Sequence, residues 1–115
     1  MLPMWGESLK GHLDGLLLAC LEPGPRHGYA VIEALRQATG GQLDLPTGTV
    51  YPALHRLEAA RLISGRWSVT DGRRRRTYQL TAKGHRALSS QRADWHAFSA
   101  MISTALGGQP WPNPA

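Results

Sequence analysis

The stretch Thr47–Ile63, TGTVYPALHRLEAARLI, decides the fold together with the stretch that follows it, Ser64–Leu80, SGRWSVTDGRRRRTYQL. In the first, Val50, Leu54 and Leu57 share one face at helical spacing, so a helix runs to about Ala60. Thr47 or Thr49 can cap its start. Pro52 is tolerable there: with Thr49 as cap it falls in the first turn, and with Thr47 as cap it removes one backbone bond. In the second stretch, Leu62, Ile63, Trp67 and Val69 predict a strand. Asp71-Gly72 between two extended runs is a strong hairpin signal. Arg75 to Leu80 is the returning strand. A helix followed at once by a basic hairpin is the unit to which the rest of the chain must be fitted.

Upstream, Leu9, Leu13, Leu16, Leu17, Cys20 and Leu21 recur at helical spacing from Ser8, a good N-cap, although Gly11 and Gly15 weaken the helix. Residues 22 to 28, EPGPRHG, break it. A second helix runs from about Tyr29 to Thr39 and stops at Gly40-Gly41. Downstream, Thr81 caps a long helix to about Leu106. Along it Leu88, Trp95 and Ile102 recur at seven, with Phe98 and Ala105 beside them, a coiled-coil-like seam. Three helices, a hairpin and a long helix make a mainly α chain with a small β-hairpin. The plan is a winged helix-turn-helix plus a C-terminal dimerisation helix, with the third helix in the DNA major groove. The expected division is a flexible start over residues 1–7, a DNA-binding domain over 8–80, a dimerisation helix over 81–106 and a disordered tail over 107–115.

The 115 residues suit one domain with a thin core that a second chain could complete. The net charge is +5, and the excess is local. Nine of the 13 Lys and Arg lie between Arg61 and Arg92, with one of the eight acids, Asp71. A basic region beside a mildly acidic one points to a polyanionic partner for that region alone. No apolar run is long enough to span a bilayer, and no N-terminal pattern suggests secretion. The single cysteine, Cys20, lies in an apolar segment and reads as a small core residue rather than a reactive thiol. It makes no internal disulfide, which fits a reducing cytoplasm, with the chain on the nucleoid when DNA-bound. No Gly-rich phosphate loop, nucleophile elbow or H-E-x-x-H appears, so no enzyme is expected. The five histidines lack zinc-like spacing, and neither metal nor cofactor is expected.

Three stretches resemble the PadR-type bacterial transcriptional regulators. HGYAVIEALRQATGG, from His27, is similar to the start of the family's second helix. TGTVYPALHRLEAARLI is similar to its recognition-helix signature. DGRRRRTYQLTAKGHRAL, from Asp71, resembles its wing and the opening of its last helix. The single helix after the wing matches the compact subgroup. Arg61 stands where the family usually has glycine, and a left-handed backbone there would be strained. Thr77 replaces a common wing tyrosine. The resemblance implies a homodimer, usually a repressor, on double-stranded DNA with an inverted-repeat operator, joined through the C-terminal helix. In some members a small, often aromatic, effector releases the DNA.

At the candidate site, Thr47, Gly48 and Thr49 put backbone N–H groups and hydroxyls at a helix N-terminus, where a phosphate is favoured; plain capping is the simpler reading. Tyr51 is either a packing residue or, as the resemblance implies, a phosphate donor. His55 and Arg56 lie off the apolar face and can reach base edges, arginine pairing well with guanine; His55 is equally readable as solvated. Strand alternation puts Arg74 and Arg76 on the face of Tyr78 and Leu80, and Arg73 and Arg75 on the other. Arg76 should then pair at the domain edge with Glu58 or Asp44. Arg73 and Arg74, next to the turn, are freest to reach a phosphate or a minor groove, with Arg75 beside them. A solvated charged hairpin is the alternative. Trp95 is dimer core by its spacing. The resemblance makes it a ligand platform, with Phe98, Met101, Leu13 and Leu17 completing the pocket and Trp5 covering it. A rival to all of this is a winged-helix protein–protein interaction module without DNA binding. Arginine at the wing tip beside a polar helix N-terminus argues against it.

Overall fold

The computed structural model describes residues 6–9 and 11–107. Most of the expected flexible start, including Trp5, and all but the first residue of the expected tail lie outside them. Gly6–Leu9 form a short helix, α1. Helix α2 follows at Leu13–Leu21. These two stand where the periodicity predicts one helix from Ser8. Gly11, at φ 86°, turns the chain between them, a conformation glycine enters without a Cβ penalty.

Strand β1 is only Arg26–His27, and α3 is Gly28–Ala38. His27 is extended and caps α3, its Nδ1 accepting from the Ala30 amide at 3.2 Å. Helix α4 spans Thr47–Ala59. Its N-cap is Pro46, with no side-chain cap bond, so neither Thr47 nor Thr49 caps it. Pro52 therefore lies deeper than the first turn and takes a donor from the carbonyl of Gly48, four residues back. The helix persists because Val50, Ala53, Leu54 and Leu57 are all buried. Packing of an apolar face outweighs one missing bond.

Strands β2 (Ile63–Thr70) and β3 (Arg73–Leu80) pair antiparallel from Ile63↔Leu80 to Thr70↔Arg73. Asp71 at φ 53° and Gly72 at φ 74° form the two-residue turn, as the Asp-Gly signal predicts. The hairpin carries a third strand, for Arg26 pairs with Tyr78 and His27 with Thr77, giving the order β1-β3-β2. Helix α5 runs Ala82–Leu106. Thr81 caps it as expected, its hydroxyl accepting from the Gly84 amide at 3.0 Å.

The core forms where α2, α3 and α4 close over the base of the sheet. Leu17, Leu18 and Leu21 meet Val31 and Leu35, with Leu54, Ile63 and Tyr78 beneath. Burial pushes the Tyr78 phenol above its ordinary pKa. Helix α5 contributes Leu88 to this core and then runs out of the body, giving overall dimensions of 59 × 30 × 22 Å. The seven-residue repeat is thus divided. Leu88 serves its own chain, whereas Trp95 and Ile102 lie exposed. Where α5 leaves the body, Arg92 donates to Glu22, at the end of α2, through bonds of 2.9 and 2.7 Å. That contact holds the Glu22 carboxyl below the usual carboxylate range.

Candidate nucleic-acid interface

The first turn of α4 lies at the surface, with Thr47 and Gly48 exposed and Thr49 half-buried. The amides of Thr49 and Val50 already donate to the Pro46 carbonyl, at 3.0 and 3.1 Å. Those of Thr47 and Gly48 have no partner among the described residues. Two free N–H groups at the positive end of a 13-residue helix suit a phosphate oxygen. No atom would lie within 4 Å of a Cβ at Gly48, so the approach to them is open. His55 and Arg56 are exposed one to two turns further on. Arg56 turns back to Asp14 of α2 in an ion pair. Both partners are substantially exposed, and such a pair is worth at most about 1 kcal/mol, so the guanidinium is only weakly held.

The four arginines of β3 have separate surroundings. Arg76 donates to Glu58 Oε2 of α4 at 2.5 Å, the first of the two partners named by strand alternation. Glu58 also accepts from the Gly65 amide at 3.1 Å, so it ties α4 to both wing strands. Arg75, on the opposite face, places a guanidinium nitrogen 2.7 Å from His27 Nε2. Arg74 lies over the ring of Trp67, 4.5 Å from its centroid, and Arg76 over the same ring at 5.4 Å. Arg73 is exposed and, among the described residues, has no acidic partner.

His27 connects the wing to the helices. A Cβ on its neighbour Gly28 would lie 2.5 Å from the Tyr51 ring, so any side chain there would push Tyr51 aside. Tyr51 packs against Gly28 and is half-buried. A chain of contacts runs from Tyr51 on α4, across Gly28 and His27, to Arg75 on the wing. It links the start of α4 to the wing through β1 and the cap of α3. The Ala30 amide and the Arg75 guanidinium both offer hydrogens to His27, yet a neutral imidazole has one free lone pair. The two contacts compete. Burial first, and the Arg75 charge second, hold the His27 pKa below the ordinary histidine value.

A second feature lies between α2 and α5. An open hollow of about 830 Å3 is walled by Leu9, His12, Leu16, Leu43, Leu88, Trp95 and Phe98. The His12 ring meets Trp95 edge-on at 5.1 Å, and Phe98 lies 6.2 Å from Trp95. The structure does not bring Leu13 and Leu17 to this hollow. Leu17 is fully buried in the core, and Leu13 borders a separate shallow depression with Asp14 and Arg56. Sequence reasoning missed His12, His27 and Trp67. The register could have revealed Trp67, because the Asp-Gly turn places it opposite Arg76. Among the described residues no group of three or more His, Cys, Asp or Glu could hold a metal ion, and no helix is long and apolar enough to cross a membrane.

Residues 17–90 match the family described as Transcriptional regulator PadR-like family. A transcriptional regulator of Mycobacterium tuberculosis is 39% identical over 84 residues, covering 73% of this chain and 63% of that protein. A PadR-like transcriptional regulator of Bacillus cereus, of known crystal structure, aligns with a TM-score of 0.78 at 27% identity, covering 90% of this chain and 99% of that one. A transcriptional regulator from Clostridium thermocellum has a TM-score of 0.80 at 23% identity, covering 86% of this chain and 97% of that one, and shares the fold.

Proposed function

This chain belongs to the PadR-like family of transcriptional regulators, and on that premise we propose that it is a homodimeric repressor that binds an inverted-repeat operator. Family membership makes it a regulator rather than an enzyme. Each subunit sets the first turns of α4 into a major groove and lays its wing on the adjacent backbone. Thr47 and Gly48 offer amides to a phosphate, with the Thr49 hydroxyl beside them. Tyr51 turns its exposed edge to the backbone, His55 reaches base edges, and Arg56 joins them on leaving Asp14. Arg73, Arg74 and Arg75 face phosphates from the wing. The observation that carries this reading is the chain of contacts from Tyr51 through Gly28 and His27 to Arg75. It ties the helix with the free N-terminus to the basic hairpin, which supports a reading in which one meets a groove and the other its flanking backbone.

The dimer contact is the exposed stripe Trp95, Phe98, Met101, Ile102 and Leu106 on α5. Water rarely faces so much contiguous apolar surface on a monomer. A second copy covering it would also close the hollow beside Trp95. The enclosed space, with its apolar walls and ring faces, suits a flat aromatic effector whose binding shifts the two DNA-reading heads.

Footprinting on duplexes drawn from the neighbourhood of the chain's own gene tests the function. Two protected half-sites about one helical turn apart, roughly 34 Å, are expected. Binding that shows no preference among sequences at moderate salt contradicts it. Trp95→Ala tests the dimer: sedimentation equilibrium should shift toward monomer or the response to planar aromatic compounds should fall. A variant that matches the parent in both removes the α5 assignment.

A further inference from the structure

Trp67 is 57% exposed on β2, where an indole gains little from burial. Its position acquires a purpose from the residues around it. Arg76 lies over the ring at 5.4 Å and is itself fixed by Glu58 of α4 at 2.5 Å. Arg74 lies over the same ring at 4.5 Å and has no acidic partner among the described residues. Glu58, Arg76, Trp67 and Arg74 therefore form a continuous stack from α4 to the wing tip. One arginine is neutralised and anchored. The other lies against the ring with no acid to neutralise it among the described residues.

We propose that Trp67 is a positioning residue that holds the Arg74 guanidinium ready for a DNA phosphate. The inference rests on the DNA-binding reading above. A guanidinium lying over a ring still turns its in-plane N–H groups outward, so stacking does not block a bidentate phosphate contact. A long flexible side chain loses freedom when DNA immobilises it. The ring removes much of that freedom beforehand. The anchor on Glu58 also fixes the distance from wing tip to α4, so phosphate contact and groove reading stay in register. Lysine at position 74 would keep the charge and lose the flat face.

Two measurements on the full chain test this. In the free protein, 15N relaxation should show the Arg74 Nε–H vector ordered, and Trp67→Leu should make it mobile. Equal mobility in the two overturns the proposal whether or not DNA binds. On a duplex site, Trp67→Leu should weaken binding roughly three- to tenfold while leaving the salt slope unchanged, since every charge remains. Trp67→Phe should restore most of the loss. In an Arg74→Ala background, Trp67→Leu should add nothing. A full additional loss in that background would mean that the indole itself touches DNA, and the positioning role would fall. If the parent chain binds no duplex while Arg74 is ordered by Trp67, the functional reading fails and the stack survives. Because Trp67 is largely exposed, all variants should still fold, with the unfolding midpoint lowered by no more than the few degrees that the loss of such ring contacts costs.

Discussion

Arg61 ends α4 at φ 63°, in the left-handed region. A side chain there costs about 1–2 kcal/mol. The geometry is nonetheless needed, because it brings the Arg61 carbonyl to the Thr81 hydroxyl at 2.7 Å and the Leu62 amide to the Leu57 carbonyl at 3.0 Å. Glycine would relieve the strain but adds roughly 0.5–1 kcal/mol of unfolded-chain entropy. Arg61→Gly should therefore raise stability in urea by about 0.5–1 kcal/mol; a loss of stability would contradict this account of the turn. The arginine run shows how far single residues were legible. Alternation along β3 turns Arg76 toward the domain edge and offers it Glu58 or Asp44; the structure selects Glu58. Alternation does not predict the Arg75–His27 contact, which depends on β1. A two-residue strand has no periodicity of its own. Local pattern does not show the start of α4, because Thr47 and Thr49 look like better caps than Pro46, yet the chain enters the helix directly after the buried Leu43 and Leu45.

Among the elements, α5 shows how a glycine decides packing. A Cβ at Gly84 would lie 2.0 Å from the Leu62 carbonyl oxygen and 3.0 Å from its carbon, both backbone atoms that cannot swing aside. The Leu62 carbonyl also accepts from the Thr81 amide at 3.1 Å, so the first turn of α5 is pinned against the end of α4. Gly84→Ala should destabilise the chain by about 1–3 kcal/mol, despite alanine's better helix propensity. Gly15→Ala is the control. Its Cβ would meet chiefly the Gln91 side-chain amide, a flexible group that can move away. Equal losses for the two in thermal unfolding would contradict the packing described. The helices, the Asp-Gly hairpin and the Thr81 cap were readable from local pattern. The break between α1 and α2 was not, because the leucines keep helical spacing across Gly11 and the pattern alone cannot show which glycine takes positive φ.

At the scale of the molecule, two surfaces stand without partners among the described residues. One is the apolar stripe of α5, where Leu106 is 80% exposed. The other is the basic wing beside the free N-terminus of α4. The charge asymmetry in the sequence located the second. The seven-residue repeat located the first but assigned Leu88 to it, because periodicity does not distinguish packing within a chain from packing between chains. On the function proposed above, these surfaces would serve a dimer with two DNA-reading heads joined by a helix pair. The most direct measurement is the salt dependence of duplex affinity for the parent and for Arg73→Ala combined with Arg74→Ala. Each phosphate contact contributes about 0.9 to the slope of log affinity against log salt, so losing two should flatten it by up to about two units. Affinity should fall across many sequences alike, since these contacts carry no base information. An unchanged slope would contradict the claim that the wing grips the backbone while α4 reads the groove.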